Sequence, residues 1–466
     1  MYDLVVIGGG SAGFSAASNA EKIGKKVCLI EKGPFGGLCI LKGCMPSKTL
    51  LYSARLKELI QNAHKFGIYI DGRVKIDMQH MISRKNKIIK GFADYREEAL
   101  KNKKIDFVTG EAEFVDKKTV KANGKLITGK NFLISTGSRI FIPNVSGLKE
   151  TGYITSDEAL ELKTIPETIA IIGGGAIGVE FAYYFHHMGS KVTLIQRGSQ
   201  LLNGVDKDIA KELELIFKKK GIKVYTGTEL KKFDRGEKKI VVFEYGRGEF
   251  EIKVDEILIA TGRKPNIDSL NLDRVKVRVD KGNILSNDYL QSSNKNVYAA
   301  GDVSGKMLVV NVAVEEGRIA VHNMFGKRKE KLDYNLVPSA VFSHPEIAWV
   351  GLNEEQARKK YKNNIEIGKF PYADLGKAEC LGETEGFIKF IVEKKSKRIL
   401  GVSIIGHEAS DIIHEAVVLL HYKATLKDLK KMMHIHPTFG EIYSYLADEM
   451  EPFSFPKEKP SGKRKT

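Results

Sequence analysis

The stretch that decides the fold is Leu4-Val5-Val6-Ile7-Gly8-Gly9-Gly10-Ser11-Ala12-Gly13. Its apolar start predicts a buried strand, and the alanine-rich residues after it predict a helix to about Ile23. The glycines permit a tight turn and bring the backbone close to a pyrophosphate at the helix N-terminus. A second strand, Lys26-Val27-Cys28-Leu29-Ile30, ends in Glu31, which is placed to accept a hydrogen bond from an adenosine ribose hydroxyl. The pattern predicts an α/β, Rossmann-like domain that binds a dinucleotide.

The same pattern recurs later in the chain. It reads Ile169-Ala170-Ile171-Ile172-Gly173-Gly174-Gly175-Ala176-Ile177-Gly178, and a helix continues through Val179-Glu180-Phe181-Ala182. The next strand, Lys191-Val192-Thr193-Leu194-Ile195, is followed by Gln196. Two such units in one chain predict two bound dinucleotides.

A third stretch carries a pair of cysteines, Gly36-Gly37-Leu38-Cys39-Ile40-Leu41-Lys42-Gly43-Cys44-Met45-Pro46-Ser47-Lys48. Pro46 suits the first turn of a helix, and the residues from Thr49 to Ile60 predict one. Cys44 therefore precedes a helix N-terminus, a position that favours a thiolate. Cys39 is near enough in sequence to close a small disulfide ring with Cys44. The alternative, two buried structural cysteines, fits the glycine-flanked spacing less well. The apolar face expected of this helix is Leu50, Leu51, Ala54, Leu56 and Leu59.

These motifs resemble those of the pyridine nucleotide–disulfide oxidoreductases, in the pattern GG-x-C-x4-C-x-PSK and in the order of the motifs up to about residue 450. The chain departs from many members at Leu38 and Leu41. The resemblance implies two Rossmann-like domains, with an NAD(P)H domain inserted in an FAD domain, and an α+β C-terminal dimerisation domain. The implied boundaries are 1–150 for the first part of the FAD domain, 151–265 for the NAD(P)H domain, 266–335 for the second part of the FAD domain, 336–450 for the dimerisation domain and 451–466 for a basic mobile tail.

The resemblance also implies the cofactors FAD and NAD(H), with NADP(H) as a further possibility, and assigns residues to them. Lys48 resembles the lysine near the flavin, and Glu180 the glutamate that pairs with it. Asp302 resembles the aspartate that hydrogen-bonds the flavin ribityl chain. The remaining residues assigned to cofactor binding are Gly8, Gly10, Gly13, Glu31, Thr136, Gly137, Gly173, Gly175, Gly178, Gln196, Arg197 and Gly262.

The implied chemistry is disulfide exchange. Cys44 resembles the sulfur next to the flavin, and Cys39 the sulfur that exchanges with the substrate. His436, oriented by Glu441, is the expected proton carrier, because imidazole exchanges protons near physiological pH. The family places this His–Glu pair opposite the disulfide of the other subunit, so a homodimer is expected.

The coenzyme signals conflict. An acid after the second strand of the second unit would favour NAD and repel a 2′-phosphate. This chain has neutral Gln196 there, and Arg197, which could reach a 2′-phosphate, follows it. Gly178 leans weakly towards NAD, since alanine is common at that position in NADP enzymes of the family. We predict NADH use with weak discrimination against NADPH.

Among substrates, the sequence favours a lipoyl group on a carrier protein, because His434-Ile435-His436-Pro437-Thr438 resembles dihydrolipoamide dehydrogenases. A mercuric reductase is disfavoured, since the last cysteine is Cys380 and a C-terminal cysteine pair is absent. A glutathione reductase remains possible, although Ala176 occupies a position where those enzymes often carry tyrosine. The alternative of another class is a flavoprotein that acts as a docking or nucleic-acid-binding subunit.

Composition sets the remaining expectations. The chain has 466 residues, a net charge of +17 and four cysteines. One close cysteine pair suits a catalytic dithiol in a reducing compartment, so a cytoplasmic location is expected. Cys28 is expected in the core, and Cys380 is interpreted as structural. We interpret the charge as a solvated lysine-rich surface. No nucleic-acid partner, no membrane association and no resident metal are expected.

Overall fold

The computed structural model describes residues 1–452, so almost all of the predicted tail, 451–466, lies outside the described residues. The chain divides into two compact units. The first comprises Met1–Asn203 and Phe217–Tyr334, and the second comprises Gly204–Ile216 and the chain from Asn335 onward. The domain boundaries expected within the first unit remain predictions.

The strands and helices below all end before Tyr334, and the strands of the two glycine-rich units are separated by helices. The strands are β1 (Tyr2–Ile7), β2 (Val27–Glu31), β3 (Ile105–Thr109), β4 (Ala112–Asp116), β5 (Thr119–Ala122), β6 (Lys125–Ile134), β7 (Ser138–Ile140), β8 (Ile154–Thr155), β9 (Thr168–Ile172), β10 (Lys191–Gln196), β11 (Lys223–Thr226), β12 (Glu229–Arg235), β13 (Lys239–Tyr245), β14 (Gly248–Val254), β15 (Glu256–Ile259), β16 (Arg263–Pro265), β17 (Val279–Asp280), β18 (Asn283–Ile284) and β19 (Val297–Ala299). The helices are α1 (Ser11–Lys22), α2 (Gly37–Leu41), α3 (Cys44–Asn62), α4 (Met78–Lys101), α5 (Leu148–Thr151), α6 (Ser156–Ala159), α7 (Ala176–Met188), α8 (Lys207–Lys219), most of which belongs to the second unit, and α9 (Val310–Phe325).

The first sheet has the order β3-β2-β1-β6-β5-β4, and β19 also pairs with β6. Strands β1, β2, β3, β6 and β19 run parallel. Residues of β1 alternate between two apolar cores: Val5 and Ile7 pack on one face, and Leu4 and Val6 on the other. A parallel sheet is covered on both faces, which explains why β1 is apolar throughout. Each fully buried side chain of this size contributes about 1.5–3 kcal/mol.

The second sheet, β11-β10-β9-β15-β8, is parallel throughout. Helix α7 packs on β9 and β10, as in the first Rossmann-like unit, and also against α3. A separate antiparallel sheet, β12-β13-β14, belongs to the same compact unit. The parallel strands at the centre of the first sheet and the parallel second sheet confirm the predicted pair of Rossmann-like folds.

The second unit is built on an antiparallel sheet of order β20-β21-β24-β23-β22. Its strands are β20 (Ser339–Val341), β21 (Glu346–Gly351), β22 (Ile365–Pro371), β23 (Phe387–Glu393) and β24 (Ile399–Gly406), and its further helices are α10 (Glu354–Tyr361), α11 (Gly376–Leu381), α12 (Ala409–His421), α13 (Leu426–Leu429) and α14 (Glu441–Met450). One apolar core joins the sheet to α12, α13 and α14. This arrangement is the predicted α+β domain.

The structure corrects two local expectations. Leu56 and Leu59 of α3 were expected on its buried face, yet they are 43% and 45% exposed. The face that packs on α7 carries Leu50, Leu51, Ala54 and the buried Glu58 instead, because Glu58 is neutralised by Arg55 and Lys220. Cys380 is exposed, so it packs in no core, whereas Cys28 is buried as expected. Within residues 1–452, no helix combines the length and apolar character needed to cross a membrane.

Candidate active site

The first glycine-rich turn is locked by close backbone contacts. Gly8 has a positive φ of 101°, and a Cβ there would lie 2.4 Å from the Ser135 carbonyl oxygen. A Cβ on Gly13 would lie 1.8 Å from the Gly8 oxygen, so α1 can pack on β1 only with glycine at that position. Glu31 accepts from the Gly9 N–H at 2.6 Å and from the Gly33 N–H at 3.0 Å. The turn and the carboxylate therefore form one hydrogen-bonded unit.

A cavity of about 490 Å³ opens beside this turn. The predicted FAD residues that line it are Gly8, Gly10, Glu31, Thr136 and Gly137. A smaller cavity of about 130 Å³ is lined by Gly10, Cys39, Cys44 and Asp302. The glycine turn, the Glu31 carboxylate and the adjoining cavities fit FAD. The two cysteines line the second cavity.

The sequence did not reveal the polar network that holds Asp302. Ser138 Oγ donates to Asp302 Oδ2 at 2.5 Å, and Arg263 Nε donates to Ser138 Oγ at 2.7 Å. Ser138 and Arg263 also line the larger cavity. Ser138 and Arg263 directly follow the assigned glycines Gly137 and Gly262, but the sequence does not show that both meet Asp302.

The two cysteines come from adjacent helices. Cys39 lies in α2 and Cys44 is the first residue of α3; both side chains are half-buried, and a hydrogen bond joins the two thiols. Gly43 permits this approach, since a Cβ there would lie 2.9 Å from the Leu38 oxygen. The local fold therefore brings together the two cysteines of the predicted redox pair.

Hydrogen bonding sets the protonation of the pair. The hydrogen bond from Cys39 lowers the pKa of Cys44 to about 7; burial opposes this effect, and the charge of Lys48 supports it. The same hydrogen bond, together with burial, raises the pKa of Cys39. The favoured state is thus a thiolate at Cys44 and a thiol at Cys39.

Lys48 lies one turn after Cys44 on α3. Its Nζ contacts both carboxylate oxygens of Glu180 at 2.8 Å, and Glu180 is 7% exposed on α7. The pair places one positive and one negative charge near Cys44, and the two charges shift its pKa in opposite directions.

This pair gives a first prediction. Lys48→Met should raise the pKa of Cys44 above about 7, and Glu180→Gln should lower it, because each change removes one of the opposing charges. The measurement is the pH dependence of Cys44 alkylation in the reduced protein, followed by mass spectrometry. Lys57→Met is the control on the same helix. Shifts of the same sign in both variants would show that these charges do not set the pKa of Cys44.

The second glycine-rich turn repeats the geometry of the first. Gly174 N–H donates to Gln196 Oε1 at 3.0 Å, as Gly9 does to Glu31, and Gln196 Nε2 donates to the Gln200 carbonyl at 3.3 Å. A Cβ on Gly178 would lie 1.8 Å from the Gly173 oxygen. Arg197 is exposed. The remaining assigned glycines are Gly175, at the N-cap of α7, and Gly262, with φ of +114° after β15.

The His436–Glu441 pair lies in the second unit. His436 Nδ1 contacts Glu441 Oε1 at 2.9 Å, and the His436 side chain is 72% exposed. Glu441 also accepts from the Thr438 N–H at 2.8 Å and from the Tyr445 hydroxyl at 3.1 Å. Burial acts to raise its pKa, but these hydrogen bonds and His436 lower it. Glu441 is therefore a carboxylate that can orient the imidazole.

Two further histidines bond to glutamates. His434 Nε2 contacts Glu415 at 3.0 Å, and its Nδ1 contacts the Ser444 hydroxyl at 2.6 Å. His344 Nε2 contacts Glu383 Oε2 at 2.9 Å, near His407. Both imidazoles are thus held by carboxylates of the second unit.

Comparison with known proteins decides the family. Residues 2–317 match the sequence model of the pyridine nucleotide-disulphide oxidoreductases, and residues 337–447 match the dimerisation domain of that family. The chain belongs to the pyridine nucleotide-disulphide oxidoreductase family. It is therefore an FAD-dependent oxidoreductase that uses NAD(P)H as electron donor, and its dimerisation domain supports a homodimer.

Relatives within the family carry different names. A mercuric reductase of Staphylococcus aureus is 36% identical over 94% of this chain and 81% of that protein. A dihydrolipoyl dehydrogenase of Bacillus subtilis is 35% identical over 94% of this chain and 96% of that protein. The HOCl-induced flavoprotein disulfide reductase RclA from Escherichia coli, solved as a Cu(II) complex, superimposes with a TM-score of 0.86 at 29% identity over 97% of this chain and 99% of that one. These relatives share the family chemistry and differ in the substrate that they are named for.

Proposed function

We propose that the protein is a dihydrolipoyl dehydrogenase-like disulfide oxidoreductase, which moves electrons between NAD(P)H and a small dithiol or disulfide. The hydrogen-bonded Cys39–Cys44 pair, with the pKa of Cys44 lowered to about 7, is the observation that carries the proposal. The net reaction is NADH + H⁺ + disulfide → NAD⁺ + two thiols. FAD, when bound, supplies the two-electron transfer between the nicotinamide and the cysteine pair.

In the reductive direction, the Cys39 thiol gives its proton to a general base and attacks one sulfur of the substrate disulfide. The substrate S–S bond breaks, a mixed disulfide with Cys39 forms, and the first substrate thiolate takes up a proton and leaves. Cys44 then attacks Cys39, which releases the second substrate thiol and closes the Cys39–Cys44 disulfide. The substrate gains two electrons and the enzyme dithiol loses them. The steps reverse for a dithiol substrate.

Each leaving thiolate needs a proton. By resemblance to the family, we assign this proton transfer to the partner subunit's His436, oriented by the Glu441 bound to it. The exposure of His436 and the contact of its Nδ1 with Glu441 support the assignment, because Nε2 is left to act on the substrate.

Two features favour a lipoyl-type substrate: the sequence around the proposed proton carrier His436, and the small number of cysteines in the chain. A mercuric reductase is the second candidate, since relatives at 36% and 37% identity carry that name. Hg(II) needs soft thiolate ligands. Apart from Cys39 and Cys44, this chain offers only the buried Cys28 and the exposed Cys380. So few cysteines also suit a reducing compartment, and we propose a cytoplasmic location.

The test is a parallel assay of dihydrolipoamide with NAD⁺, oxidised glutathione with NADH or NADPH, and Hg(II) with NADPH. The proposal predicts the highest kcat/KM for dihydrolipoamide. A higher value for Hg(II) would make the protein a metal-ion reductase, and a higher value for oxidised glutathione would assign it to the glutathione reductases.

Coenzyme choice gives a second prediction. Wild-type protein should use NADH with weak discrimination against NADPH, and Gln196→Glu should raise the NADH to NADPH ratio of kcat/KM by roughly tenfold, because a carboxylate repels a 2′-phosphate. Gln196 already bonds the turn through Gly174, so the substitution keeps an acceptor there. Arg197→Gln is the companion variant, and it should lower NADPH use alone. An already strong preference for NADH that Gln196→Glu leaves unchanged would show that residue 196 does not read the ribose.

A further inference from the structure

Arg96 lies on α4, and its guanidinium stacks on the ring of Phe14 in α1. The distance from Cζ to the ring centroid is 4.2 Å. The residue is half-buried, whereas its neighbour Tyr95 is 69% exposed. The contact holds the guanidinium against the face of the ring and directs its N–H groups to the edges of the guanidinium plane.

One of those edges has no acceptor. Within residues 1–452, Arg96 Nη1 is buried and makes no hydrogen bond. An unpaired buried donor is unfavourable, so such groups in native proteins call for an explanation. Arg318 offers a contrast, because its Nη2 donates to Glu315 at 2.7 Å and its Nη1 to Glu330 at 3.1 Å. Arg96 therefore keeps donor capacity that residues 1–452 do not use.

Arg96 lies on a helix that packs against the helix of Cys39, the proposed exchange sulfur. Helix α4 packs against α2, which carries Cys39. The charge of Arg96 acts on Cys39 and lowers the pKa of that thiol, against the larger effects of its hydrogen bond to Cys44 and of burial. The half-buried guanidinium of Arg96 thus places a positive charge close enough to Cys39 to act on it across the contact between α4 and α2.

We propose that Arg96 forms an anion-binding subsite next to Cys39, and that among lipoyl-type disulfides and dithiols it favours those that carry a carboxylate or a similar anionic group. This inference rests on the proposed function, because it assumes that Cys39 exchanges with the substrate. Guanidinium N–H groups bind carboxylates by charge-assisted hydrogen bonds, which are stronger than neutral ones. A lipoyl amide is neutral, so free lipoate should be the better substrate of the two.

Two matched pairs of probes test the subsite. The first pair is lipoate and lipoamide, which have the same dithiolane ring and differ in whether they carry a carboxylate or a neutral amide. The second pair is iodoacetate and iodoacetamide, which differ in the same way and alkylate Cys39 in the reduced holoenzyme. Arg96→Gln should lower kcat/KM for lipoate and the iodoacetate rate at Cys39 by about tenfold, and the values for the neutral probes by less than about threefold. Arg96→Lys should retain part of the anion preference.

Lys90→Gln is the control, since it removes one positive charge from the same helix at a residue whose side chain is 75% exposed. Lys90→Gln should leave kcat/KM for lipoate and lipoamide and the two alkylation rates unchanged. This result would separate a local subsite from the general effect of the net charge. Equal losses for charged and neutral probes in Arg96→Gln would overturn the subsite, as would loss of bound FAD or no change at all. Wild-type protein that turns over neither lipoate nor lipoamide would refute the proposed function, and the alkylation pair would still decide the role of Arg96.

Discussion

Cys39→Ser is expected to abolish disulfide turnover while the protein keeps FAD and NADH still bleaches its flavin absorbance. Cys39 is the proposed exchange sulfur, and a serine hydroxyl cannot form a mixed disulfide. The groups that fit FAD lie elsewhere, in the turn that contains Gly8 and Gly13 and in Glu31. The measurements are steady-state turnover of dihydrolipoamide, FAD content and anaerobic reduction by NADH.

Cys380→Ser is the matched control, because Cys380 is a free and exposed thiol on α11. It should keep wild-type turnover. Dihydrolipoamide turnover at the wild-type rate in Cys39→Ser would refute the exchange role. Loss of FAD from that variant would instead assign Cys39 to the structure of the cofactor site.

His436→Gln should lower turnover by about 100-fold or more, the usual scale of general acid–base catalysis. Glutamine can keep a hydrogen bond to Glu441 but carries no titratable proton. Glu441→Gln should have a smaller effect of about tenfold, since the carboxylate orients and polarises the imidazole without exchanging the proton itself.

His421→Gln removes an exposed histidine of α12 and should leave turnover unchanged. The pH profile of kcat/KM should lose one ionisation in His436→Gln and keep it in the control. An unchanged rate of enzyme reduction by dihydrolipoamide in His436→Gln would mean that another group carries the proton.

Much of the fold could be predicted because it depends on local patterns. The strand–glycine–helix units at Gly8 and Gly173 each combine an apolar run with a backbone turn that only glycine fits, and such a combination is rare. The family comparison and the parallel strands of the two Rossmann-like units confirm the fold and the cofactor predictions. The catalytic and binding roles of individual residues remain proposals.

Features that depend on tertiary contacts could not be predicted in the same way. Periodicity could not show that the buried face of α3 includes Glu58 and leaves Leu56 and Leu59 exposed, because the ion pairs of Glu58 involve Lys220, distant in sequence. The sequence likewise could not show the partners of Ser138 and Arg96. Their contacts with Asp302 and Phe14 arise only when separate elements meet.

The most direct test of the account is to map the cysteines of the holoenzyme by differential alkylation and mass spectrometry, before and after anaerobic addition of one equivalent of NADH. The account predicts that Cys39 and Cys44 are protected as a disulfide before NADH and become alkylatable together after it, while Cys380 is alkylated throughout. The account would be contradicted if Cys39 and Cys44 were alkylated to the same extent before and after the addition of NADH. The electrons of NADH would then not reach the cysteine pair.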